Sequence, residues 1–163
     1  MSPIDSAHTS GWEISEVVFG VPFLVAIALQ FLVPLSLPRG PFRLIFIVIG
    51  IAVLIVGVAL IILARREFAQ RSQPTDPGRP TTTIVTTGVF SISRNPLYLG
   101  AACFLAGIAL AVNLPWELIL LLPGLVACHI VLIAPEERYL AAKFGDEYRA
   151  YTATVHRWLG RAK

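Results

Sequence analysis

The sequence predicts an all-α polytopic membrane protein with about four transmembrane helices and a C-terminal interfacial amphipathic helix. Three observations lead there. Over 163 residues the hydrophobic fraction is 56%, the charged fraction only 14% and the mean hydropathy +0.74, values foreign to a soluble domain of this length. The apolar residues gather into four runs, each at or near the length of about 20 residues that crosses a hydrocarbon core. The basic residues crowd beside some of these runs and are missing beside others.

The first run covers 17–37 and follows an N-terminal segment with Asp5, Glu13 and Glu16 but no Lys or Arg, unlike the basic flank of a cleaved signal peptide, so it is expected to be retained. The second, 44–64, has no charge and no proline. The third and fourth, 97–112 and 118–134, are shorter. Asn113, Leu114, Pro115, Trp116 and Glu117 leave room between them only for a tight helical hairpin. These spans divide a single membrane domain into an N-terminal two-helix hairpin at 17–64, a loop at 65–94 and a region at 95–163 that carries the candidate site.

Basic residues number two between the first two spans, five over 65–94, none in the second hairpin turn and six after Ala134. The 65–94 loop and the tail are therefore expected in the cytoplasm. Four crossings put the N-terminus there too, with Arg39 and Arg43 on the side that this rule disfavours. Net charge is +3 and the isoelectric point about 9.2. With its basic residues beside apolar spans, the chain suits anionic lipid headgroups as a partner and not nucleic acid.

The loop contains Pro74, Pro77, Gly78 and Pro80, then Thr81, Thr82 and Thr83, which reads as turn chemistry and not helix. After Ala134 the tail reads as two short helices, 135–144 and one capped by Asp146 after Gly145. On the second, Tyr148, Tyr151, Val155 and Trp158 recur at helical spacing, as on a helix lying at the headgroup level.

Two polar clusters interrupt this pattern. Arg94, Asn95, Pro96 and Tyr98 stand where the third span begins, and a helix N-terminus beside an arginine can hold a carboxylate or phosphate. The alternative is that Arg94 reaches lipid headgroups and Asn95 only caps. Glu136, Glu137 and Arg138 follow the fourth span, where acidic residues suit a cationic or hydroxyl-rich ligand. If the two spans form a hairpin, both clusters share one membrane face, and a zwitterionic ligand can bridge them. His129 and Gln30, within spans, read as hydrogen-bonding groups between helices. Cys103, Gly107 and Ala111 read as a stripe for close helix packing. Both cysteines, Cys103 and Cys128, sit in apolar runs; neither a disulfide framework nor a metal site is expected. No GxGxxG or P-loop glycine pattern is present.

The segment 86–158 reads TTGVFSISRNPLYLG, an apolar hairpin, then EERYLAAKFGDEYRAYTATVHRW. It resembles the isoprenylcysteine carboxyl methyltransferase and phospholipid methyltransferase superfamily, as a bacterial-type member with an RNPxY motif. The shared features are TxG[PV][FY], R-[HN]-P-x-Y-x-G, two spans, an E-E pair and F-G-x-x-Y-x-x-Y, in that order. The resemblance implies S-adenosylmethionine as cofactor, bound without a Rossmann fold in a cytoplasm-facing pocket. It implies that Arg94, Asn95, Pro96, Tyr98 and Gly100 line that pocket with Glu136 and Glu137 facing them. Arg149, His156 and Arg157 fall where the family places residues that act on the substrate. Asn95 stands where the eukaryotic carboxyl methyltransferases have His, and 132–135 is apolar where they are polar or basic. The implied function is methyl transfer to a lipophilic acceptor, an isoprenylcysteine-like carboxylate or a phospholipid-like amine, at the cytoplasmic face of a bacterial inner membrane. Methylation of a small thiol or amine and a non-enzymatic lipid-binding scaffold are the alternatives.

Overall fold

The computed structural model describes residues 15–71 and 81–161. Among these, helices α1 (Ser15–Leu32), α2 (Pro41–Gln70), α3 (Pro96–Val112), α4 (Pro115–Ala127), α5 (Ala134–Phe144) and α6 (Asp146–Thr154) follow in order. A 3₁₀ turn spans Gly88–Ser91 and a π-helical turn Cys128–Ile133. The expectations for Pro74, Pro77, Gly78, Pro80, Asp5 and Glu13 lie outside the described residues.

α2 and α3 are the closest pair, antiparallel and in contact at two levels where glycines meet. A Cβ on Gly57 would sit 2.5 Å from Phe104 N and 2.7 Å from Gly100 O, and one on Gly50 2.7 Å from Ala111 N and 2.8 Å from Gly107 O. Side chains there would force the backbones apart, so the small residues make the contact. Of the expected stripe, Gly107 and Ala111 serve this approach. α1 packs on α4, with Phe19 buried beside Leu105, Cys128, Leu132 and Ile133. Much of the outer surface is apolar, with Leu24, Phe31, Leu44, Ile55, Leu122 and Ile130 all exposed, as a lipid-facing bundle requires.

Several boundaries differ from the sequence expectation. α1 stops at Leu32, not at 37, because the residue before Pro34 is disfavoured in helical conformation; Gln30 turns its amide onto Leu35 O at 2.7 Å, within its own segment. α2 runs on to Gln70, so the first part of the expected 65–94 loop is helix. Glu67 and Arg71, one turn apart, pair at 2.6 Å there. The hairpin turn contracts to Asn113 and Leu114, with Asn113 left-handed at φ 65° and Glu117 already buried inside α4. Arg43, unfavourably placed by charge counting, donates to Leu110 O at 3.3 Å and Ala111 O at 2.8 Å, closing the C-terminal end of α3.

The fourth span and the first tail helix are one continuous rod of 30 residues, Pro115–Phe144, rather than separate helices. α2 also has 30 residues, and at 1.5 Å per residue each is about 45 Å long, well beyond a hydrocarbon core of about 30 Å. Both project at the same end of the bundle. The wide turn in the second rod has a local cause: Pro135 has no N–H to give and its ring crowds the carbonyl of Val131, so the backbone opens to an i to i−5 pattern in which Ala134 N–H meets His129 O. One inserted residue advances everything beyond it by about 100°.

At this projecting end the tail folds back onto the segment before α3. Tyr151 OH donates to Phe90 O at 2.7 Å, His156 O accepts from Arg94 N at 3.1 Å, and Gly160 N donates to Ile92 O at 2.7 Å. The described parts of the 65–94 segment and of the tail, 65–71, 81–94 and 135–161, thus share one end, as expected. Two details of the tail differ. Gly145 occupies the cap position and Asp146 is the first residue of α6. The helix ends at Thr154, and its tyrosines are covered by protein, not lipid: Tyr148, Tyr151 and Val155 are buried against Ile84, Leu140 and Phe144. Trp158, beyond the helix, packs on the cluster around Leu105 and Cys128.

Candidate functional site

Glu137 is the centre of the polar end. Arg157 holds it with two hydrogen bonds, Nε to Oε1 at 2.9 Å and Nη2 to Oε2 at 2.8 Å, and Arg94 Nη1 lies 3.0 Å from Oε1. One carboxylate between two guanidiniums leaves a surplus positive charge. The hydrogen bonds that Arg157 donates to Glu137 raise the pKa of Arg157 further, fixing it as a cation. Arg94 also reaches Tyr148 OH at 3.4 Å, while its Nε is buried with no partner among the described residues. Burial, then the charge of Glu137, push the Tyr148 phenol up, so it stays neutral.

Local sequence explains how these groups meet. Pro96 opens α3 at a position where its missing N–H costs nothing, and Asn95 precedes it at the cap position. The Asn95 side chain does not cap the helix; it donates from Nδ2 to Arg157 O at 3.1 Å, while its own N–H is taken by the buried Ser93 Oγ at 3.1 Å. Asn95 therefore ties the start of α3 to the tail. On the facing rod, the rotation set by the π-helical turn brings Glu136 and Glu137 round to α3, with Tyr98 OH 3.4 Å from Glu136 Oε2.

Of the expected site residues, the structure brings together Arg94, Asn95, Tyr98, Glu136, Glu137 and Arg157. Pro96 is fully buried as a helix starter, and Gly100 faces α2, where a Cβ would meet Ile61 Cγ1 at 2.8 Å and Gly57 O at 2.9 Å, so it packs helices. Arg149 lies away from the cluster, its side chain 71% exposed and bonded to Asp146 at 3.0 Å. His156 is exposed and contributes through its backbone. Not anticipated were Tyr148, the buried Ser93 and the apolar wall from Ile84, Val85 and Phe90. Tyr148 and Phe90 do fall in the F-G-x-x-Y-x-x-Y and TxG[PV][FY] stretches, which gave the signal, whereas Ser93, Ile84 and Val85 carry no pattern that sets them apart from ordinary loop sequence.

Three hollows border this pair, Glu137 lining the inner and polar ones and Arg157 the polar and apolar ones. An inner cavity of about 60 Å³ is lined by Thr83, Ile84, Arg94, Asn95, Glu136 and Glu137, with Phe68 and Phe90 behind. An open polar groove of about 630 Å³ includes Arg94, Glu137, Arg138, Tyr148 and Arg157. An apolar groove of about 520 Å³ runs between α3 and α4 along Leu99, Ala102, Leu125 and Val126, ending at His129, Arg157 and Trp158. Arg94, Glu137 and Tyr148 line both the inner cavity and the polar groove, forming the wall between them.

A family model described as phospholipid methyltransferase matches residues 45–147, well over half of the chain. A stretch of 27 residues is 67% identical to an uncharacterized protein of Haemophilus influenzae, covering 17% of this chain and 43% of that protein. The alignment thus spans less than half the length of the curated relative. No solved structure matches.

Proposed function

The chain belongs to the phospholipid methyltransferase family, and on that premise we propose that it transfers a methyl group from S-adenosylmethionine to a lipophilic acceptor at the cytoplasmic face of a bacterial inner membrane. The observation that carries this reading is the convergence of Arg94, Asn95, Tyr98, Glu136, Glu137 and Arg157 around a cavity at the basic end of the bundle.

The donor set fits such a cofactor. The unpaired Nε of Arg94, beside the start of α3, suits a carboxylate. Glu136 suits an ammonium or a ribose diol, and Phe68, Ile84, Phe90 and Leu140 offer an apolar wall for a base. Bound there, the cofactor would supply an electrophilic methyl on sulfur, so this chain's residues need only orient the two partners and exclude water. Glu137, neutralised by Arg94 and Arg157, holds the partition between cavity and grooves and is a poor base. Arg157 stands where an acceptor's anionic group would arrive. Arg149 and His156, outside the cluster, belong in this reading to the surface around the entrance. Carboxylate, amine and thiol acceptors all remain compatible with these residues.

Titration of the detergent-solubilised protein with S-adenosylhomocysteine tests the proposal. Saturable binding is expected, weakened about ten- to a hundredfold in Arg94→Ala, the range for losing one charge-assisted hydrogen bond. Absence of binding to the wild type would leave a non-enzymatic membrane scaffold as the better reading.

A further inference from the structure

His129 has no part in the cluster just described, yet its position is unusual in three respects. It lies within the π-helical turn Cys128–Ile133, a geometry that recurs at functional sites. Its Nδ1 is shut off from solvent and has no hydrogen-bond partner among the described residues, whereas a histidine kept to fasten one helix to another would show the bond that does so. And its ring lines both the apolar groove and the polar groove, a property it shares with Arg157. An amphiphile with its chain along Leu99, Ala102, Leu125 and Val126 and its head in the polar groove must pass the junction of the two between these residues.

Taking the methyl-transfer reading as given, we propose that this junction seats the acceptor and that His129 accepts a proton from its nucleophile, which selects an amine-bearing amphiphile over a carboxylate. The charged and titratable side chains that face His129 across the two grooves are Arg94, Glu137, Arg138, Tyr148 and Arg157. The arginines are cations with nothing to accept a proton. Glu137 is held by two of them, and Tyr148 is a neutral phenol. Among the described residues lining these grooves, His129 is the base that no cation occupies. The balance is simple. An ammonium headgroup gives one proton to the imidazole; the freed amine lone pair forms the bond to the methyl carbon, and the electron pair of the broken C–S bond goes to sulfur. The proton then leaves the imidazole for water through the open polar groove. A carboxylate acceptor has no proton to give and would make no use of His129.

The test pairs His129→Gln with a measurement on the unaltered protein. In His129→Gln, S-adenosylhomocysteine binding should stay within about threefold, while turnover of phosphatidylethanolamine at neutral pH should fall on the order of a hundredfold, the lower range for loss of a general base. Turnover should recover as pH rises and the amine loses its proton unaided. Separately, without cofactor, the imidazole NMR signals of His129 in wild-type protein should shift when phosphatidylethanolamine is added to nanodiscs of phosphatidylcholine, whose headgroup has no N–H. Turnover within a few-fold of wild type with an unchanged pH profile overturns the inference. So do His129 signals indifferent to phosphatidylethanolamine, or transfer to a prenylated-cysteine carboxylate in place of the amine. Failure of the wild type to bind S-adenosylhomocysteine would instead remove the underlying methyl-transfer reading, and the NMR titration would still report on the groove.

Discussion

Arg157 grips Glu137 through both ends of its guanidinium fork, at 2.9 and 2.8 Å, across a reversal of the chain in which α6 ends and the tail turns back. The pair joins the projecting rod to the tail, and Arg94 adds the start of α3 to the same carboxylate. Glu137→Ala should therefore destabilise the fold as well as the site, by on the order of 3 kcal/mol, because two guanidiniums lose their counter-charge. Thermal unfolding in detergent should show the drop. Glu137→Ala with Arg157→Ala should recover part of it, and a double variant worse than the sum of the singles would contradict this account.

The glycine contacts give a second prediction. Gly57→Ala places a Cβ about 2.5 Å from the Phe104 backbone nitrogen and should yield aggregated or poorly monodisperse protein on size exclusion. Gly20→Ala, with nothing within 4 Å of its Cβ, should behave as wild type. Equal behaviour of the two variants would argue against the close α2–α3 packing.

Tyr151→Phe removes only the hydroxyl that donates to the buried Phe90 carbonyl at 2.7 Å. The orphaned acceptor should cost about 1–3 kcal/mol, felt locally. Hydrogen exchange should quicken over 88–94 and leave α2 and the hairpin of α3 and α4 unchanged. Uniform acceleration across the protein would mean that the bond is not a local fastener.

The inner cavity, at about 60 Å³, has room for a few waters and not for a nucleoside. Binding of the proposed cofactor must therefore displace part of its wall, and the non-helical residues 81–87 are the part not built into a long helix. Exchange over 81–87 should change on addition of S-adenosylhomocysteine more than exchange in α5. An effect confined to α5 would place the ligand elsewhere.

Topology is checked with single cysteines in a background where Cys103 and Cys128 are replaced by alanine. Thr86→Cys and Ala153→Cys, both at exposed positions, should react from one side of sealed vesicles and Ser36→Cys from the other. Labelling of Thr86→Cys and Ala153→Cys from opposite sides would be incompatible with the fold.

Much of this was legible in the sequence because hydropathy and charge act locally. The uninterrupted second span, the tight hairpin after Val112 and the shared end of the 65–94 segment and the tail follow from runs and counts alone. The clusters at Arg94–Asn95 and Glu136–Glu137 stood out because polar groups at a span end need a reason. What could not be read depended on the tertiary fold. Tyr148 and Tyr151 have a periodicity that fits a lipid-facing stripe equally well as a protein-facing one, and only the presence of Phe90 and Arg94 opposite them decides. Arg149 and Arg157 are both basic residues of the tail. The end of α6 at Thr154 turns one back to Glu137 and leaves the other in solvent. Gly100 belongs to a motif that suggests a ligand, but its missing side chain serves α2.

The π-helical turn makes the rod Pro115–Phe144 a device with two independently set phases. Below it, the register is fixed by what α1 and α3 require of α4. Above it, the register is fixed by what Arg94 and Arg157 require of Glu137. Removal of a single residue between Cys128 and Ile133 would leave the hydropathy of the span and its ability to insert almost untouched. It would nevertheless swing both carboxylates about 100° out of line. A chain of this kind can therefore keep its motifs, its membrane helices and its composition, and still lose its site through an error of one in counting.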